Sequence, residues 1–457
     1  MKILLCALGC DKNLVDSEKM LSLLSKAGYE LTDNEGEAQA VIVNTCCFIG
    51  DAKEESVNAL LHYAEKKQEG SLAYLVAAGC LAQRYSDQIT RQIPEVDAIL
   101  GTMAPEQIVQ TLEALQEKKA LSAADKNAES PLRCLPPLDK RPYAGSGRIL
   151  SSPGHYAYLK IAEGCNKNCS YCIIPKVRGP YRSIPEESLI KEAGELAASG
   201  VKELILVAQE TTLYGIDLYG KKSLAGLLQK LSKIPQLRWI RLLYCYPEEI
   251  DEPLINALQE LPKVLPYLDI PIQHGNDEIL KRMGRRTDQA AIRETVAKLR
   301  AKIPDICLRT TLITGFPGET EEAHQECLAF IKETAFDRLG VFEYSKEEGT
   351  AAAKMPSQIH WKRKKRWKEE LLSLQQAITF ERNKAFEGRS LEVLVEGGLA
   401  EENGIYVGRS YRDAPEVDGL VFIRSERELI TGNFVSVSID SAKDYDLIGD
   451  FQHFIEV

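Results

Sequence analysis

The chain has 457 residues, room for roughly two to four domains, and its 44% hydrophobic and 27% charged residues are those of an ordinary soluble protein. Its formal net charge is −10, no run approaches the length of an apolar membrane span, and residues 1–5 lead into a polar motif at Asp11 without a signal-peptide region. A cytoplasmic location and no membrane partner are therefore expected. Twelve cysteines spread over such a length are no disulfide scaffold, and where cysteines cluster in a cytosolic chain they point to metal or catalysis.

In residues 1–118, three apolar runs rich in β-formers each end in a cysteine: K-I-L-L-C-A-L-G-C at Cys10, A-V-I-V-N-T-C at Cys46 and L-A-Y-L-V-A-A-G-C at Cys80. Helical spacing follows each run, over residues 16–27, 51–67 and 82–92. Alternation of this kind predicts a parallel α/β sheet whose strands share one carboxyl edge, where ligands normally bind. One cysteine at a strand end is usually a core residue. Three at equivalent ends are brought together by the topology, and predict a cluster with one iron left open. The flanking stretches G-C-D-K-N-L-V-D-S-E, N-T-C-C-F-I-G-D-A-K-E-E-S and A-A-G-C-L-A-Q-R-Y resemble the N-terminal domain of methylthiotransferases. Among the branches of that family they are most similar to the one that modifies the β-carbon of an aspartate in small-subunit ribosomal protein twelve. Cys47 departs from the pattern, which has a small residue there; Cys46 completes N-T-C and is taken as the ligand.

Residues 119–150, rich in Pro, Ser, Ala, Gly and charge, read as a linker.

In residues 151–380 an alternating run, residues 156–162, leads into E-G-C-N-K-N-C-S-Y-C, which sets Cys165, Cys169 and Cys172 on one loop. Three thiolates on a short loop can hold an iron–sulfur cluster with an open corner, whereas a zinc knuckle would want a fourth Cys or His nearby. C-x3-C-x2-C with Tyr171 before the third cysteine resembles the radical S-adenosylmethionine (SAM) signature. That resemblance implies a 4Fe-4S cluster that chelates SAM and, with one electron, releases a 5′-deoxyadenosyl radical. Five further β-like runs make six β/α units in all, which with the resemblance implies an open (β/α)6 partial TIM barrel with function at the carboxyl ends of its strands. The resemblance extends a SAM-binding role to Tyr171, Gln209, Gln273, Gly315 and Glu319, although G-F-P-G-E is also a turn signal and His274 reads as a hydrogen-bonded structural residue. The run W-K-R-K-K-R-W, residues 361–367, has the basic and aromatic character of a nucleic-acid contact but opens a long helical segment, and reads as one side of a surface helix.

Residues 387–457 switch to short alternating strands with Gly turns and predict a small antiparallel β-barrel, which by position and by G-R-S-Y-R-D-A-P-E-V-D-G resembles the TRAM domain. From Arg389 onward, six Lys or Arg stand against fourteen Asp or Glu. RNA binding needs positive charge, so a basic protein partner fits better than tRNA.

Together these readings imply a radical SAM methylthiotransferase with two 4Fe-4S clusters, SAM and an external electron donor. A tRNA-adenosine methylthiotransferase and a non-enzymatic two-cluster electron carrier are the alternatives.

Overall fold

The computed structural model describes residues 1–122, 130–145, 147–400 and 402–456. The first sheet is built of β1 (Lys2–Ala7), β2 (Glu30–Leu31), β3 (Ala40–Thr45), β4 (Tyr74–Ala78), β5 (Ala98–Leu100) and β6 (Leu132–Cys134). Its order is β2-β1-β3-β4-β5-β6 and every neighbouring pair is parallel. The central β3, A-V-I-V-N-T, is buried at every position, as a strand covered on both faces must be. The helices run a little differently from their expected spans. The first begins early, at Asp11–Lys26, and the third breaks at Tyr85 into Gly79–Arg84 and Ser86–Gln92. The segment expected as a linker is also partly structural: Leu132–Cys134 adds β6 beside β5, completing the sheet with a strand too short to show a period.

The second sheet carries β7 (Tyr156–Lys160), β10 (Glu203–Val207), β11 (Trp239–Leu242), β12 (Val264–Asp269), β13 (Cys307–Thr314) and β14 (Arg338–Glu343), all parallel and in sequence order. Between the first two of these, β8 (Ala162–Glu163) and β9 (Arg182–Ser183) form a separate antiparallel pair. Six parallel strands with β7 and β14 as free edges are the open partial barrel. The helix Trp361–Lys384 packs along β14 and shields that edge, with Trp367 fully buried and stacked 4.9 Å from His324, while Trp361 and Arg363 remain exposed. The basic run is thus one solvated side of a docked helix.

The last five strands, β15 (Ser390–Gly398), β16 (Ile405–Ser410), β17 (Val421–Arg424), β18 (Phe434–Lys443) and β19 (Asp446–Ile455), close a barrel in the order β15-β16-β17-β19-β18. All its pairs are antiparallel except β17 with β19. An odd number of strands cannot alternate direction all the way round, so closure forces one parallel seam. This barrel covers the inner face of the second sheet: Leu394, Ala414 and Phe434 share a core with Tyr156, Tyr158, Trp239 and Tyr267. Among the described residues no helix is long and apolar enough to cross a membrane.

Candidate active site: two cysteine triads and the buried charges between them

The three N-terminal cysteines all lie at the carboxyl edge of the first sheet. Cys10 caps the helix Asp11–Lys26, Cys46 follows β3 directly, and Cys80 lies in the first turn of Gly79–Arg84. Gly9 makes the approach possible. Its φ is +91°, and a Cβ there would stand 2.5 Å from the Cβ of Cys46 and 2.8 Å from its Sγ. Asn13 pins the neighbouring loops, donating from Nδ2 to the carbonyls of Leu8 (2.9 Å) and Thr45 (3.0 Å). Cys47 points elsewhere, into the apolar core with Leu81 and Val177, where burial pushes its thiol up to about 11. Cys46 is also buried, and the neighbouring Cys10 adds to burial in raising its thiol.

In the radical-type loop, Gly164 takes φ +79°, and a Cβ there would meet the carbonyl oxygen of Pro180 at 2.1 Å. Only glycine lets the loop lie against residues 179–180, where the Cys165 amide donates to the Gly179 carbonyl at 3.1 Å. The far side is tied by Ser170, whose amide and Oγ donate to Met283 and Arg282 carbonyls at 2.8 and 2.9 Å. Burial pushes Cys165 up to about 11 and Cys172 up to about 12. Such thiols ionise only when a strong positive charge arrives, which is what iron supplies. Each triad offers three sulfurs, the donor set of a cluster with one open iron. Among the described residues no three Cys, His, Asp or Glu converge closely enough for a single metal ion.

At the strand ends above this loop, Gln209 follows β10. Its Nε2 donates to Glu163 at 2.9 Å, while its Oε1 is buried without a hydrogen-bond partner. Glu210 Oε2 and Thr314 Oγ1 are likewise buried and unpaired, and burial pushes Glu210 up to about 8. Unpaired buried polar atoms are expensive, so a row of them at one sheet edge fits a polar cofactor such as SAM. Tyr171 abuts the Cys169 side of the loop, near Tyr246 and Arg285. Gln273 bridges β12 to β13 through its backbone, donating to Thr311 O and accepting from Ile313 N, at φ +75°. Gly315, at φ +74°, turns the chain after β13.

Glu319 turns back onto its own loop. Its Oε2 accepts from the amides of Gly315 (2.6 Å) and Phe316 (3.1 Å), and its Oε1 lies 3.2 Å from His274 Nε2. Burial alone would raise this carboxyl, yet His274 and His324 outweigh it and bring it down to about 2. Glu319 therefore braces the Gly315 turn from within. His274 is the structural histidine its position suggested.

Sequence reading missed the charged group between the triads. Arg178, Lys160, Asp16 and Glu163 form a buried quartet. Arg178 Nη1 donates to Asp16 (3.1 Å) and Glu163 (2.9 Å), and Lys160 binds both carboxylates too. Burial would raise Glu163, but Arg178 and Lys160 outweigh it and bring it down to about 2. Nothing in the spacing signals this group, because its members come from two domains. Beside it a crevice of about 280 Å³ is lined by Cys10, Asp11, Tyr156, Tyr158, Ser151 and Glu416, so all three domains contribute to its wall.

Family comparison agrees with this division. Residues 2–101 match Uncharacterized protein family UPF0004, residues 159–331 the Radical SAM superfamily and residues 388–451 the TRAM domain. The chain is 53% identical over 98% of its length, and 99% of the other's, to the ribosomal protein uS12 methylthiotransferase RimO of Lachnoclostridium phytofermentans. It is 48% identical, over 97% and 98%, to the enzyme of that name from Caldanaerobacter subterraneus subsp. tengcongensis. Among solved structures, the radical SAM methyltransferase TsrM of Kitasatospora setae, with cobalamin and a [4Fe-4S] cluster bound, matches with a TM-score of 0.54 at 16% identity, covering 75% of this chain and 74% of that one. That likeness concerns the fold alone.

Proposed function

This chain belongs to the RimO family of ribosomal protein uS12 methylthiotransferases, and from that premise we propose how its own residues divide the work. It is a radical SAM enzyme that inserts a methylthio group at the β-carbon of an aspartate in uS12, with SAM and two 4Fe-4S clusters as cofactors. Cys165, Cys169 and Cys172 hold the radical cluster; Cys10, Cys46 and Cys80 hold the auxiliary one. When bound, the first supplies the electron that cleaves SAM to a deoxyadenosyl radical, and the second presents the sulfur that the substrate carbon takes up.

The rest is the work of the protein. Gln209 Oε1 and the backbone about Gly315 receive SAM at the strand ends, Gln273 shapes the adjoining strand ends, and Tyr171 walls the cluster from solvent. Glu319 keeps the Gly315 turn fixed. The crevice beside Cys10 admits the substrate loop to the auxiliary cluster. Electrons come from an external donor, and the reaction belongs to the cytoplasm, where ribosomal protein is made. The observation that carries this reading is the buried charged quartet, in which Arg178 joins Cys80 of one triad to Glu163, two residues before Cys165 of the other.

The acidic outer surface of the barrel favours a basic protein over tRNA. Reconstituted enzyme, given SAM, reductant, uS12 and unmodified tRNA in parallel, is expected to add a methylthio mass to an aspartate of uS12 only. An increment on a tRNA adenosine would overturn the substrate assignment. Deoxyadenosine formation that survives Cys165→Ala would overturn the cluster assignment.

A further inference from the structure

Arg178 makes contacts that salt-bridge chemistry alone does not require. It lies at the carboxyl end of the short helix Ile174–Val177 and is only 3% exposed. Its Nε donates to Cys80 Sγ at 3.4 Å, its Nη1 to Asp16 and Glu163, and its Nη2 to Asn13 Oδ1. Four partners on one planar fork span the two domains. Cys80 is a thiol of the auxiliary set. Asn13 anchors the carbonyls of Leu8 and Thr45, next to the other two thiols of that set. Glu163 stands two residues before Cys165, in the loop of the radical set. The quartet itself balances without Cys80, since Arg178 and Lys160 already match Asp16 and Glu163. The Nε contact is therefore additional to charge pairing.

We propose that Arg178 is a positioning residue that locks the auxiliary cluster to the radical loop and, by donating to Cys80 Sγ, raises the auxiliary cluster's reduction potential. A donor at a ligand sulfur favours the more electron-rich state of a cluster, and outer partners of this kind orient the ligands they touch. Lysine cannot replace it, because one ammonium lacks the fork that reaches two carboxylates, an amide oxygen and a thiol from fixed directions. This inference rests on the cluster assignment under Proposed function.

The test is Arg178→Lys in the full chain, which keeps the buried charge. Both clusters are expected to load by iron content, and deoxyadenosine formation is expected to fall less than methylthiolation does. In an EPR-monitored titration the auxiliary potential moves down while the radical cluster's stays. Product formed per deoxyadenosine falls about tenfold or more, the size usual for losing an outer partner of a metal ligand. Two loaded clusters with an unmoved auxiliary potential would overturn the proposal and leave Arg178 a packing residue. A second measurement needs no change at 178. In the full chain with Cys165, Cys169 and Cys172 replaced by alanine, 15N-arginine labelling must give a nitrogen coupling in pulsed EPR of the reduced auxiliary cluster. A loaded cluster without that coupling overturns the contact. A chain that binds no iron at all overturns the cluster assignment itself, and the proposal with it.

Discussion

At single positions, the clearest separation between legible and hidden is chemical type. The six proposed cluster ligands are readable because cysteine is a rare chemistry that stands here either at close spacing on one loop or at equivalent strand ends. Glu319 is the contrary case. Its place after G-F-P-G suggests a cofactor contact, but nothing in the sequence tells whether a carboxylate faces the ligand or its own backbone. Its depressed acidity gives a measurable consequence. A carboxyl brought from 4.5 to about 2 contributes at most about 3 kcal/mol, at ~1.4 kcal/mol per pH unit. That stability is complete above about pH 4.5 and is lost as pH falls toward 2, because the unfolded chain takes up the proton first. Glu319→Gln is thus expected to lower the urea midpoint of the cluster-free chain at pH 7, and to differ much less from wild type at pH 3. An equal deficit at both values would show that the carboxylate charge contributes nothing.

At the scale of elements, the alternation of strand and helix is visible because buried parallel strands are continuous apolar runs between amphipathic helices. What escapes is whatever depends on a distant partner. β6 is three residues long and exists because β5 offers a free edge. The parallel seam between β17 and β19 follows from closure, which no local pattern records. The docking of the last barrel is hidden for the same reason. Glu203 on β10, fully buried, takes Arg241 Nε at 2.7 Å and Arg409 Nη1 at 2.8 Å, so one carboxylate joins core to barrel. Burial would raise it, but Arg409 and Arg241 together hold it below the usual range. Removing the anion leaves Arg241 without its carboxylate and Arg409 with Glu396 alone in a dry interface, a loss of about 3–5 kcal/mol. Glu203→Gln should therefore undock the barrel at lower urea, followed by the fluorescence of Trp239, whose ring lies 4.8 Å from Phe434 of the barrel. A fluorescence transition unchanged from wild type would mean that the apolar contacts alone hold the two domains.

For the whole molecule, the decisive quantity is where charge ends up. A count along residues 389–457 gives an acidic domain, but the fold sorts those charges into two populations. Arg409 and Arg412 turn inward, and Glu392, Asp413 and Asp418 answer Arg238, Arg338 and Arg309 of the core. On the outside stand Glu402, Glu416, Glu426, Glu428, Asp440, Asp444 and Asp450, with Arg424 clamped between Asp440 and Asp450. The surface stays acidic after the interface is subtracted, so the charge argument against a polyanion survives in a form the sequence could not supply. Glu416 is the member of this set that reaches the crevice. It is exposed, holds φ +67°, and lines the wall with Cys10, Tyr156 and Tyr158. A non-glycine residue in that region of backbone space is a strained choice. If a basic protein loop enters here, Glu416→Lys meets it with the wrong sign. The KM for uS12 should then rise about three- to tenfold at low salt, the size of one partly screened charge pair, with kcat and deoxyadenosine formation unchanged. The difference should shrink as added salt shortens the screening length below the width of the crevice. A KM that ignores the reversal at low salt would mean that the substrate enters by another face, and that the acidity of this barrel serves solubility alone.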